Sequence, residues 1–297
     1  MTLARKVEQI KDSISGKAPK VSFEFFPPRT EKGIDNLKDN IAKLEELSPA
    51  YVSVTYGAGG TTQEKTFEIV KYIKENTSLE PAAHLTCVNA TCEEINNVAK
   101  SYLDIGVNKI VALRGDVPGG EGDYEPYPGG YAYADNLVEG LIGLGGFDIS
   151  VAAYPEVHPQ APNADFDLHH LKKKIDNGAK RAITQYCFDT DDVVNFIERA
   201  RAIGIDAPIV PGIVLMNGFE QLISFSKRCG ASIPSWMHDI FAGADQSPEA
   251  CDMASVAVAA EQCRLLMQEG VDEFHFYTLN RAEPTMAVCR LLGVKAK

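Results

Sequence analysis

Eight short apolar segments punctuate the chain, and most of them hand a polar or ionisable residue to the loop that follows. They read VSFEFF (21–26), YVSVTY (51–56), AAHLTC (82–87), KIVALRGD (109–116), SVAAYPEVH (150–158), AITQYCF (182–188), PIVPGIV (208–214) and EFHFYTLNR (273–281). The first few recur about every 30 residues, the length of one strand–helix unit. Between them, apolar residues fall at spacings of three and four, as in Ile34, Leu37, Ile41, Leu44 and Leu47. This spacing predicts helices over 33–47, 62–76, 92–105, 134–144, 165–178, 191–203, 218–229 and 248–269. Strand and helix alternate throughout, the α/β signature. At 297 residues, eight such units close a single (β/α)₈ TIM-type barrel more naturally than they fill a doubly wound open sheet. Residues 1–16 add an amphipathic N-terminal helix, and the long interval between the seventh and eighth strands leaves room for an extra helix. No linker, low-complexity tract or charge block divides residues 1–297, so a single domain is expected. A barrel gathers the C-terminal ends of its strands at one mouth, where its chemistry is expected.

The net charge of −12 argues against nucleic acid and anionic membranes as partners, since both require a basic face. A phosphate-bearing ligand must then be held by a few local cations. The seven cysteines are scattered, and Cys87 and Cys92 form a lone C-x₄-C without a second pair, so reduced thiols and no metal site are expected. The N-terminus lacks the apolar block of a signal peptide, and no stretch of about 18 apolar residues occurs, so a cytoplasmic protein is expected.

Strand alternation puts Ser22, Glu24 and Phe26 on one face and Phe23 and Phe25 on the other. With the phenylalanines against helices, Glu24 points into the barrel. Desolvation there raises a carboxyl pKa and makes a general acid, unless the group is a structural ion pair. Arg114-Gly115-Asp116 ends the fourth strand and suggests either a backbone close to a ligand with Arg114 facing an anion, or a salt bridge at a turn. His84 reads as a packed histidine or a ligand contact. Tyr154, Glu156 and His158 form a dense polar cluster at the end of the fifth strand. Gln185 sits between Ile183 and Cys187, and its amide suits an aromatic heterocycle. Lys172, Lys173 and Lys174 form a candidate phosphate clamp, or a solvated helix face. The glycine- and proline-rich residues 115–130 suggest a lid at the mouth. GAGG at 57–60 does not complete a dinucleotide-binding G-x-G-x-x-G.

Together these residues resemble the methylenetetrahydrofolate reductase family. The carrying motifs are SFEFFPPR (22–29), VTYGAGG (54–60), HLTC (84–87), ALRGD (112–116), AAYPEVHP (152–159), RAITQ (181–185), IPSWM (233–237) and FHFYTLNRAE (274–283), which span nearly the whole chain. The resemblance implies a barrel enzyme in which NADH or NADPH reduces bound FAD, with no C-terminal regulatory domain expected. The flavin then reduces 5,10-methylenetetrahydrofolate to 5-methyltetrahydrofolate, which supplies methyl groups for methionine synthesis. It implies Glu24 as general acid and Asp116 as the residue tuning flavin and folate. Implied flavin contacts are Thr55, Tyr56, Ala58 and His84 from the early strands, and Arg114, Gly115, Asp116 and Ala134 around the fourth. Tyr154, His158, Asp167, His170 and Lys174 complete them, His170 standing where the family often has asparagine. Gln185, Gln221, Phe225 and Arg281 are implied at the folate and nicotinamide. Glu24, Asp116 and Gln185 are thus expected around one isoalloxazine ring, with NADH the favoured donor and a homo-oligomer the usual state. Alternatives are another flavin barrel resembling proline dehydrogenase, a pterin-binding methyl-transfer barrel without flavin, and a barrel that only binds a nucleotide or serves in assembly.

Overall fold

A computed structural model describes residues 18–56, 63–116, 124–244 and 247–296. The expected N-terminal helix, the GAGG segment with Ala58, and residues 117–123 of the glycine-rich loop lie outside the described residues.

Among the described residues, nine parallel strands form one sheet: β1 (Lys20–Phe25), β2 (Val52–Val54), β3 (Pro81–Thr86), β4 (Lys109–Leu113), β5 (Asp148–Ala153), β6 (Arg181–Thr184), β7 (Ile209–Val210), β8 (Gly212–Val214) and β9 (Glu273–Tyr277). Their order is β7-β6-β5-β4-β3-β2-β1-β9-β8. The expected seventh strand is therefore two. Pro211 has no N–H to donate and breaks the ladder, so β7 pairs with β6 while β8 pairs with β9. Since β7 and β8 are joined through Pro211, the sheet closes into a TIM-type barrel. Gly212 makes that closure possible: a Cβ there would stand 2.2 Å from the Thr184 carbonyl oxygen and 2.5 Å from the Tyr277 ring.

The helices are α1 (Glu31–Glu45), α2 (Gln63–Asn76), α3 (Cys92–Asp104), α4 (Ala134–Leu144), α5 (Ala164–Asp176), α6 (Thr190–Ala202), α7 (Phe219–Cys229), α8 (Ser235–Phe241), α9 (Pro248–Gln268) and α10 (Ala282–Leu291). Thr30 caps α1 by accepting from the Gly33 amide at 3.1 Å, and Thr91 with Glu94 forms a capping box on α3. The long interval after β8 holds α7, α8 and α9, and α8 begins within the IPSWM segment.

The main core fills the layer between sheet and helices. Phe23 and Phe25 are wholly buried there with Leu37, Ile41 and Leu44 of α1. That packing commits the alternate face of β1, Ser22 and Glu24, to the barrel interior. Tyr51, Ala82, Val111 and Ile183 form a separate interior cluster. A third cluster, including Tyr186, Met216, Phe219 and Phe241, lies under α7–α9. The cysteines, all among the described residues, form no disulfide. No described helix is long and apolar enough to cross a membrane.

Candidate active site

Glu24 lies in the barrel between two imidazoles. Its Oε2 is 3.2 Å from His84 Nε2 on β3 and 3.5 Å from His275 Nε2 on β9. The His84 contact is an ion-pair distance without hydrogen-bond alignment, which leaves His84 Nε2 a buried atom lacking a hydrogen-bond partner. The raised carboxyl pKa expected from desolvation is not what results. Burial does push Glu24 upward, but the charge of His84 and the hydrogen bond and charge of His275 outweigh it and hold the carboxyl down at about 2. The Glu24 backbone is fixed as well, because Thr278 Oγ1 donates to its carbonyl at 2.7 Å. Beyond it, the Asn280 side chain accepts from Phe26 N at 3.0 Å and donates to Phe26 O at 2.8 Å, extending the β1–β9 pairing past the strand ends.

A cleft of about 1210 Å³ opens over the C-terminal ends of β3, β4 and β5. It is walled in part by Tyr56, Arg114, Gly115, Asp116 and Ala134. Tyr154, His158, Asp167, His170 and Lys174 supply another wall. Thr55 is half-buried outside this lining, with its amide bonded to Phe25 O at 2.8 Å. His84 faces Glu24 instead.

Arg114 makes no ion pair with Asp116 among the described residues. Its Nη1 donates to Gln160 Oε1 at 2.5 Å, and its guanidinium lies 4.5 Å over the Tyr124 ring. Gly115 is required for packing more than for ligand approach: its φ is +94°, and a Cβ would meet Val88 Cγ2 at 2.7 Å.

The basic triplet divides around its helix. Lys172 pairs with Asp176 at 2.5 Å, whereas Lys173 and Lys174 line the cleft. Lys174 is only 8% exposed and donates to Ala152 O at 2.6 Å. Burial pulls its ammonium pKa down to about 8, against the opposing attraction of Asp167 and Asp135.

The polar cluster after β5 divides too. Val157 sits at φ 128°, a region β-branched residues rarely enter. The turn sends Tyr154 and His158 into the cleft, their rings edge-on at 4.7 Å, and Glu156 away from it. Glu156 instead accepts from Ser232 N at 3.0 and 3.1 Å. His158 is held by its amide, which donates to Asp167 Oδ2 at 2.9 Å, and burial lowers the pKa of its ring. His170 Nε2 meets Asp135 Oδ1 at 3.1 Å, and burial lowers its pKa as well.

Gln185 follows β6 and is half-buried, its Oε1 accepting from Tyr186 N at 3.0 Å. Phe225 stacks on Tyr186 with centroids 6.2 Å apart, while Gln221, one turn earlier on α7, is exposed. Arg281 is ion-paired with Asp252 of α9, leaving buried polar atoms on both partners, Arg281 Nη1 and Asp252 Oδ1, without hydrogen bonds.

Residues 7–293 match the methylenetetrahydrofolate reductase family. The chain belongs to that family. The 5,10-methylenetetrahydrofolate reductase of Pectobacterium carotovorum subsp. carotovorum is 48% identical over 277 residues, covering 93% of this chain and 90% of that protein. The enzyme of the same name from Escherichia coli (strain K12) is 46% identical over 275 residues, covering 93% and 91%. A solved Clostridium thermocellum protein, described as binding two copies of 5-methyl-5,6,7,8-tetrahydrofolic acid, superposes with a TM-score of 0.62 over 98% of each chain. At 14% identity that likeness is one of fold.

In this methylenetetrahydrofolate reductase family member, an oxidoreductase, residue-level reasoning missed His275. It alternates with phenylalanines in EFHFY, where a buried histidine is ordinarily packing. The available signal was register: Ser22 pairs with His275 and Glu24 with Tyr277, so both strands turn polar atoms to the interior. Thr278 and Asn280, which hold Glu24 and Phe26, were visible only as part of a motif.

Proposed function

We propose that this family member reduces 5,10-methylenetetrahydrofolate to 5-methyltetrahydrofolate with electrons from NADH, in preference to NADPH, by way of bound FAD. It supplies methyl groups for methionine synthesis in the cytoplasm and works as a homo-oligomer. The observation that carries the proposal is Glu24, a carboxylate inside the barrel against two imidazoles, one of them on the strand whose Leu85 and Thr86 wall a cleft that holds the buried ammonium of Lys174.

The cleft residues fit FAD. Lys174 is a buried ammonium that donates to a neutral carbonyl, and Arg114 faces the same space, so both suit a pyrophosphate. Asp135 and Asp167 suit hydroxyl groups. Tyr56, Tyr154 and His158 offer ring faces and edges, with Gly115, Ala134 and His170 beside them in the same wall; Thr55, Ala58 and His84 are added as contacts by the family resemblance alone. Bound FAD would supply hydride chemistry at its ring.

The chain's own residues do the rest. Glu24 Oε2 delivers a proton to a nitrogen of the methylene bridge, which opens it, and Asp116 tunes the charge on the rings. Gln185 presents its amide to whichever substrate is bound, Phe225 stacks on an aromatic ring, and Gln221 and Arg281 hold the polar ends.

If nicotinamide and folate share Gln185 over one face, they bind in turn. Steady-state kinetics on purified yellow protein then give parallel double-reciprocal lines. Intersecting lines overturn the shared site, and a colourless protein that takes up no FAD overturns the function.

A further inference from the structure

A carboxylate held down at about 2 carries no proton at neutral pH, yet the proposed folate reduction, the reading on which this inference rests, needs one delivered from it. The neighbours of Glu24 supply the answer. His275 is wholly buried, and its Nδ1 lies 2.8 Å from Ser22 Oγ. Ser22 Oγ in turn donates to the Phe274 carbonyl at 3.4 Å. A hydroxyl has one hydrogen, so with that hydrogen on Phe274 O it accepts from Nδ1–H. His275 Nε2 is then the nitrogen that can gain or lose a proton, and it points at Glu24 Oε2. A bare lone pair facing a carboxylate would repel it, so the contact holds one proton, on nitrogen or on oxygen.

We propose that His275 is a positioning residue for the acid step, its Nε2 holding the proton that Glu24 delivers and its tautomer set by Ser22. The proton passes from Nε2 to Oε2, breaking N–H and forming O–H. It then passes from Oε2 to the substrate nitrogen, leaving neutral His275, ionised Glu24 and an N–H bond on the substrate. The proton returns to Nε2 from solvent before the next turnover.

The surroundings leave three groups that can share this proton. His275 lies between Tyr51, stacked at 5.8 Å, and Tyr277, edge-on at 5.4 Å. Burial pushes the Tyr51 hydroxyl up to about 12 and that of Tyr277 well above its usual value, so both stay neutral. The nearest fixed charges, Arg181 over the Tyr51 ring at 5.5 Å and Glu273, act on Tyr51. His84 faces the same Glu24 oxygen but lacks hydrogen-bond alignment, and its resemblance-implied role is toward the cofactor. Glu24, His275 and His84 remain.

The test uses His275→Gln and Ser22→Ala in the FAD-loaded enzyme, with stopped-flow measurement of both half-reactions across pH. The expected result for His275→Gln is a loss of about 10²-fold in flavin reoxidation by folate. Flavin reduction by nicotinamide should change by less than about twofold on the same scale. Ser22→Ala leaves the ring in place, serves if His275→Gln does not fold, and should displace the acid limb of the folate profile in the same direction by less. Unmoved pH profiles, or equal losses in both half-reactions, overturn the relay. An infrared titration reads the same contact without turnover: the protonated-carboxyl band, assigned by its loss in Glu24→Gln, should persist to higher pH once the imidazole is gone. If the wild type is inactive on folate while His275→Gln still displaces the band, the proposed function is overturned and the proton-sharing contact between His275 and Glu24 stands. An undisplaced band overturns the relay.

Discussion

At the N-terminal end of the barrel, Asp148 meets Lys109 at 2.8 Å and Arg181 at 3.1 Å, while at the C-terminal end Glu24 meets two imidazoles at 3.2 and 3.5 Å. Both carboxyls feel burial pushing their pKa upward, and both are held below their ordinary values by their neighbours. The difference lies in the partners. Lysine and arginine keep their charge across the physiological range, whereas imidazole changes state within it. The lower cluster is therefore a fixed lock that ties β4, β5 and β6 together at their starts. The upper one can exchange a proton without dismantling the sheet.

The strongest way to break this contrast is Glu24→Gln. It should cost about 10²–10⁴-fold in the folate half-reaction, the usual range for a positioned acid. Reduction by nicotinamide should survive, with melting temperature close to the parent, and stopped-flow absorbance reads both halves. Equal losses would remove Glu24 from the acid role. Asp148→Asn should do the reverse, lowering unfolding free energy by about 2–3 kcal/mol, below the 3–5 kcal/mol of a fully buried pair because these side chains are about a quarter exposed. Urea titration measures it, and turnover of the folded fraction should stay near wild type.

Lys174 sharpens the comparison, being a cation placed where its charge can be lost. It is charged below about pH 8 and neutral above, so affinity for FAD should fall as pH rises through about 8. Lys174→Met should weaken binding by about tenfold, equivalent to about 1.4 kcal/mol, and flatten that dependence. Flavin fluorescence titrations at several pH values decide it, and an unaltered slope in the variant would assign the dependence to another group. The smallest effect belongs to Asn280→Ala, which removes two hydrogen bonds to exposed backbone and should cost about 1 kcal/mol in thermal unfolding.

Much of the barrel was legible because hydrophobic period is a local property. The helix predicted over 134–144 is the observed α4, and the other helix ends differ by at most two residues. The alternation in SFEFF correctly turned Glu24 inward, since two fully buried phenylalanines leave it no other direction. Its ionisation was not legible. The imidazole that does much to set it stands 251 positions away, and only the closing of β9 onto β1 brings the two together. Glu156 failed in the opposite sense: close in sequence to Tyr154 and His158, it was turned outward by the backbone at Val157. The split at Pro211 was written in PIVPGIV, but a run of apolar residues conceals a missing donor.

That missing donor has a mechanical consequence. Around most of the circumference, adjoining strands are stitched by backbone ladders, but at residue 211 the wall is continuous chain, helped by the Gly212 amide bonding to Thr184 Oγ1 at 3.0 Å. Breathing of the wall there breaks the fewest bonds, so amides beside this seam should be among the first in the sheet to exchange hydrogen with solvent. Gln185 and Tyr277 stand at its two edges, and Glu24 and His84 lie on the stiffer arc from β1 to β3. The cylinder thus yields beside Gln185, where large planar molecules would alternate, while Glu24 rides on unbroken ladders; His275, whose amide donates to Pro211 O at 3.0 Å, joins the two regions.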